Sequence, residues 1–249
     1  MTYWGWRANG NISRNYRVPT LNDLFWQDAS AVGNPNLLPE SGWTSDVGVA
    51  IGIPQKHSIS KSATHFLFST NIFNSNINNW ILWKPNNSGR WSPENILEVW
   101  SRGIETKTGI EHAIGQIKLK INVQTSYVVS TNEKEKSSTD ESYKMQLIYV
   151  PIYNHQTNIS ATFRGFYFNY NQTYTGYRFT TSDNTQALRP YWVGNAQVSY
   201  QSILKMLTLK IFLQANNIWA SSYQVVQNYA MPMRHFQVGL SINFNKKLS

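Results

Sequence analysis

The chain has 249 residues, and 22 Lys plus Arg against 13 Asp plus Glu leave a formal charge of +9. Only 14% of the chain is charged, where roughly 25% is usual for a soluble domain. Its 10 Trp, 14 Tyr and 11 Phe exclude intrinsic disorder, and the absence of Cys excludes disulfide scaffolds, thiolate metal sites and cysteine nucleophiles.

Taken in chain order, alternation with period two predicts ten strands. The first spans 3–13. The second, 42–54, sets Trp43, Val47, Val49, Ile51 and Ile53 against Thr44, Asp46, Gly48, Ala50 and Gly52. Weaker alternation marks 62–74 and 96–111. The fifth strand, 117–129, opposes Ile117, Leu119, Ile121 and Val123 to Lys118, Lys120, Asn122 and Gln124. Then follow 152–163, 166–179 and 191–201. In 206–216 Leu207, Leu209, Ile211 and Leu213 oppose Thr208, Lys210, Phe212 and Gln214, and the last strand, 233–244, opposes Phe236, Val238, Leu240, Ile242 and Phe244 to Gln237, Gly239, Ser241 and Asn243. No stretch shows helical spacing, and no apolar run approaches the roughly 20 residues of a membrane helix.

Connection lengths add what alternation cannot. Long gaps (14–41, 75–95, 130–144, 180–190, 217–232) alternate strictly with short ones (55–61, 112–116, 164–165, 202–205). In an all-β, antiparallel up-and-down sheet every long loop then falls at one end, as in outer-membrane barrels and unlike a Greek-key sandwich. Trp4, Trp6, Trp80, Trp83, Trp91, Trp100, Tyr191, Trp192 and Tyr223 fall near strand ends or loop edges, where an interfacial girdle belongs. The alternative is that some are core or ligand-stacking rings.

The segments Arg17-Val18-Pro19-Thr20-Leu21-Asn22-Asp23-Leu24-Phe25-Trp26 and Gly33-Asn34-Pro35-Asn36-Leu37-Leu38-Pro39-Glu40 resemble the barrel signature of TonB-dependent outer-membrane receptors. Trp100-Ser101-Arg102-Gly103-Ile104-Glu105, Tyr149-Val150-Pro151, Gly194-Asn195-Ala196, Asn216-Asn217-Ile218, Tyr223 and Met231-Pro232-Met233-Arg234 follow in the family's order. Within the family the chain is most similar to vitamin B12 (cobalamin) receptors. The resemblance implies a single partial barrel domain over 1–249, about ten C-terminal strands of a wall of about 22, without the plug domain. No leader is written at the N-terminus, so the chain reads as a fragment. It further implies outer-membrane lipid, a plug, the TonB energy-coupling protein and a small-molecule nutrient as partners, with an iron chelate as the alternative substrate. Terminal Phe244 resembles an assembly signal, from which 245–249 depart by extending past it.

Physical reasons attach to the motifs. Pro19 and Pro39 cannot donate to a ladder and bracket a rim loop. Gly33 and Asn34 are turn residues. Gly103 suits a close approach, with Glu105 pointing inward. Substrate contacts are expected in the loops at Trp80, Trp83, Trp91, Tyr177 and Arg178. Lys118, Lys120, Asn122, Gln124 and Lys210 are expected to face the plug or water.

Enzymatic readings fare poorly. His57 and His112 fall near short turns and His235 at the far end of the last strand, and His65 reads as a wall residue; neither a nucleophile elbow nor a zinc helix motif occurs. Asp140 and Glu141 read as a solvated rim pair. No catalytic residue, metal or cofactor is expected, and the scattered Lys and Arg form no nucleic-acid footprint. A carbohydrate-binding β-sandwich is the remaining alternative, motivated by aromatics and 27 Asn, although an AT-rich genome also enriches Asn.

Overall fold

The computed structural model describes residues 5–53, 62–135, 137–204 and 207–244, with only the backbone of Ser62, Ala63, Ile96 and Leu97. Trp4, His57, the turn at 55–61 and the tail at 245–249 lie outside the described residues. Among the described residues twelve strands and one short helix occur in the order β1 (Gly5–Arg17), α1 (Leu21–Phe25), β2 (Glu40–Ile53), β3 (Ser62–Pro85), β4 (Trp91–Ile114), β5 (Ile117–Asn132), β6 (Tyr153–Phe163), β7 (Phe166–Thr175), β8 (Arg178–Phe179), β9 (Ala187–Leu188), β10 (Tyr191–Leu204), β11 (Leu207–Asn216) and β12 (His235–Phe244). Ten of them form one antiparallel meander, β1-β2-β3-β4-β5-β6-β7-β10-β11-β12, and β8-β9 pair separately within a loop. Among the described residues the sheet is open, because β1 and β12 are its two ends.

Register carries the sequence pattern across the wall. Ile110 pairs with Ile121 and Ile121 with Ile159, while Ile211 pairs with Tyr200 and Leu240. These residues share the outward face. The inward face is polar: Glu111 pairs with Lys120, and Asn71 with Glu105 and Gly48. Outward apolar side chains are left exposed, Ile211 at 54% and Val238 at 73%, as a wall meeting lipid requires. The buried apolar residues, Leu37, Ile81, Val99, Leu147 and Ile148, lie instead among the long connections and the strand tops beside them.

Short turns close the other end tightly. Arg164 (φ 45) and Gly165 (φ 87) link the paired Phe163 and Phe166, the two-residue turn with both φ positive that matches strand twist. Gly115 (φ 57) opens the equally short turn between the paired Ile114 and Ile117.

Three expectations are corrected. The connection 75–95 is mostly strand: β3 and β4 stay in register up to Pro85 and Trp91, leaving a tip at 86–90. Trp80, Trp83 and Trp91 therefore stand on a tall hairpin and not on an irregular loop. The strand expected at 166–179 stops at Thr175, and Arg178 belongs to β8. Leu21–Phe25 is helical. Of the girdle residues, Trp6, Trp100 and Trp192 are exposed on the outward face, but Tyr191 stacks on Tyr223 with centroids 4.5 Å apart, away from the lipid face.

Gly103 meets the expected close approach. A Cβ there would run into the Tyr127 carbonyl and lie 3.0 Å from the Phe73 ring. Since the carbonyl is backbone of the neighbouring strand, Gly103→Ala should destabilise the wall by about 1–3 kcal/mol, measurable as a lower denaturant midpoint. An unchanged midpoint would show that β5 yields freely.

Candidate functional site

Beyond β1 the chain leaves the wall and is held by a reciprocal cap. The Thr20 hydroxyl accepts from the Asp23 amide (3.1 Å), while Asp23 Oδ2 accepts from the Thr20 amide (2.9 Å) and hydroxyl (2.8 Å). Asp23 takes two further donors, Arg17 Nη2 (3.2 Å) and Trp83 Nε1 (2.8 Å). Arg17 Nη1 also donates to Glu40 Oε1 (2.6 Å), which accepts the Ile81 amide (2.8 Å). One network thus joins Arg17, Asp23 and Glu40 and pins the β3–β4 hairpin to the first loop. Burial works to raise the Asp23 pKa, but the Thr20 and Trp83 hydrogen bonds and the Arg17 charge outweigh it, holding the carboxyl below its ordinary value.

The neighbouring motif residues extend this anchor. The Gly33 amide donates to Trp26 O (2.6 Å), and a Cβ at Gly33 would strike the Leu24–Phe25 peptide at 2.7 Å. Asn34 donates its amide to Asp23 O (2.8 Å) and its Nδ2 to Pro93 O (3.2 Å). The Pro39 carbonyl accepts from Asn79 Nδ2 (3.3 Å). Asn79 has φ 57, and its own carbonyl accepts from Asn95 Nδ2 (2.6 Å).

A second anchor lies between the last two loops. Asn195 Oδ1 accepts the Asn217 amide (3.0 Å), and Asn217, at φ 49, donates its Nδ2 to Ser221 O (2.8 Å) and Pro232 O (3.3 Å). Arg178 is only 3% exposed. Its guanidinium reaches the carbonyls of Gln224 (3.1 Å), Val225 (3.4 Å) and Arg189 (3.5 Å) and lies 4.8 Å from the Tyr191 ring centroid. Burial lowers its pKa, with Tyr191 and Tyr149 opposing. Between the other loops, Gln146 and Asn184 exchange two hydrogen bonds of 2.9 Å.

The candidate contact residues thus differ in availability. Tyr177 is exposed, Trp80, Trp83 and Trp91 are half-buried, and Arg178 is a buried clamp between loops. Sequence reasoning missed Thr20, Asn79, Asn95, Gln146 and Asn184; the signal for Thr20 was an acidic residue three positions on. A cavity of about 30 Å³ beside Leu82, Asn132, Gln146 and Ser182 has room for a water molecule and is too small for a nutrient.

The inward face is charged. Glu105 and Lys107 line a concavity of about 340 Å³ with Arg7, Asn9, Asp46 and Asn71. Lys118, Lys120, His65 and Glu111 line another, and Lys120 pairs with Glu111. Asn122 and Lys210 share this inward face by register, and Gln124 lies beside Glu105. Arg102 faces outward, Arg234 is exposed just before β12, and Phe244, 84% exposed, ends the outward row. No group of three His, Asp or Glu suited to a metal ion occurs among the described residues.

Comparison with known proteins agrees with this architecture. Residues 4–218 match the family model described as TonB dependent receptor-like, beta-barrel. The chain is 26% identical over 244 residues to the vitamin B12 transporter BtuB of Photobacterium profundum, covering 96% of this chain and 35% of that protein. Over 105 residues, 40% of this chain and 15% of the relative, it is 32% identical to the vitamin B12 transporter BtuB of Vibrio vulnificus. Among solved structures, the copper transporter OprC superposes with a TM-score of 0.63 at 12% identity, covering 97% of this chain and 37% of that one. The ferric preacinetobactin receptor BauA of Acinetobacter baumannii gives 0.62 at 11%, covering 97% and 34%. At such identities these two show the fold alone. The chain spans about a third of the length of the Photobacterium relative. A lipid-facing meander, long loops gathered at one end and a family match over most of its length place this chain among the outer-membrane β-barrels of the TonB-dependent receptor family, as wall and not as enzyme.

Proposed function

We infer that this wall serves energy-coupled uptake of a corrinoid across the outer membrane. The observation that carries the reading is the similarity to vitamin B12 transporters along 96% of the chain, whereas its structural neighbours, which include copper and ferric-chelate proteins, share only the fold. In this reading the open edges of β1 and β12 pair with further strands, the charged inward face meets a plug, and TonB drives the plug's rearrangement. Tyr177 and the hairpin aromatics Trp80, Trp83 and Trp91 are offered to the ligand, and Arg178 holds the loops behind them. An iron chelate is the second reading, because ferric receptors share this architecture.

The test is a chimera in which these residues replace the corresponding part of the Photobacterium transporter, expressed in a strain lacking its own cobalamin receptor. Energy-dependent accumulation of labelled cobalamin is expected, and none from this chain exported alone, since ten strands leave no room for a plug even if they close. Uptake of ferric chelates with no cobalamin uptake would favour the second reading. Uptake by the exported chain alone would overturn the partial-wall reading.

A further inference from the structure

We propose that the outward face of β4 binds the phosphate headgroup of an anionic lipid in the outer-facing leaflet, at a site built on Arg102 and Trp100. Arg102 is paired with Asn74 and Val129, and Trp100 with Asn76 and Thr131, so these two register rows face away from the lumen. The level is set by counting. Arg102 stands 13 residues from the turn residue Gly115, about 43 Å along the strand at about 3.3 Å per residue and about 33 Å in height at a tilt of about 40°. The apolar band of such a wall is about 25 Å tall. Ile110, outward and exposed below Arg102, belongs to that band, Ile104 lies at its upper edge, and Arg102 stands at the headgroups above it.

The arginine is held in place. Its guanidinium carbon lies 3.8 Å from the Trp100 ring centroid. Nη1 donates to Thr131 Oγ1 (2.8 Å) and Trp100 O (3.2 Å). Trp100 Nε1 donates to Asn74 Oδ1 (2.6 Å), which leaves the Asn74 amide nitrogen as a donor beside Arg102. No carboxylate lies within 4.0 Å of Arg102 among the described residues; nearby Glu133 accepts from Thr131. A fixed guanidinium with Nη2 and Nε to spare, stacked on a tryptophan at headgroup level, fits a tetrahedral oxyanion. The lipid is its source, because the face that carries the site looks into the bilayer and not into the lumen.

The experiment is native mass spectrometry of the full chain in detergent, titrated with phosphatidic acid or with diacylglycerol of the same acyl chains. One retained phosphatidic acid is expected, with about tenfold weaker retention in Arg102→Gln and an intermediate value in Arg102→Lys, which keeps charge without the planar stack. Asn74→Asp keeps the acceptor for Trp100 but places a carboxylate beside Arg102, and should also weaken retention about tenfold. It decides the matter if Arg102→Gln loses its β-sheet spectrum. Equal retention by Arg102→Gln or Asn74→Asp, equal retention of diacylglycerol, or displacement by excess inorganic phosphate would each overturn the lipid site.

Discussion

Arginine at Ile121 should destabilise the complete wall by about 2–4 kcal/mol, whereas arginine at the adjacent Asn122 should cost less than about 1 kcal/mol. Ile121 sits in β5 between Ile110 and Ile159 on the outward face. Five residues separate it from the turn residue Gln116, which at about 3.3 Å per residue and a tilt of about 40° puts it near the middle of the apolar band. There the guanidinium has neither water nor a partner. Asn122 pairs with Gly109 and Asn158 on the inward face, where a long cation can reach the aqueous lumen. Guanidinium unfolding in lipid vesicles reads both costs, and equal costs would reverse the assignment of faces.

Replacing Asp23 with alanine should destabilise the first extracellular loop by about 2–4 kcal/mol, less than a fully buried ion pair because the Arg17 side chain is 46% exposed and screened. The change strands the Trp83 indole and the Thr20 amide and removes one of the two carboxylates that hold Arg17. Acid should mimic it in the wild type. A carboxyl whose folded pKa lies below its unfolded value stabilises fully above the ordinary carboxylate range and loses that contribution as pH falls through the folded value. Hydrogen exchange of residues 17–40 and Trp83 fluorescence would follow the loosening, and protection equal to wild type would show that the network is dispensable.

Strands were legible in the sequence wherever one face meets lipid and the other water. Ile117 to Val123 alternate because the two sides of β5 sit in different solvents. Above the band that contrast disappears, and the same backbone ladder from Asn78 to Pro85 carries Asn, Trp, Leu and Pro in no period; it reads as a loop. Leu21–Phe25 is too short to display a helical repeat, and only its cap advertises it. The motif residues Arg17, Asp23 and Glu40 were visible as a signature, yet their common purpose needed the fold, since it is the register of β1 on β2 that sets Arg17 opposite Glu40. The asparagine excess has a structural share beyond base composition. Asn79, Asn184, Asn217 and Asn228 all occupy positive φ, the conformation that asparagine tolerates better than other side chains.

Because the buried apolar residues lie among the loops while the wall exposes its own to lipid, the chain consists of two layers that answer to different solvents. Detergent exchange or a change in bilayer thickness acts on the wall, whereas mild denaturant acts on the cap of packed loops. No single melting temperature describes such a molecule, and a probe placed at Trp83 and one placed at Trp192 would follow different events in the same tube.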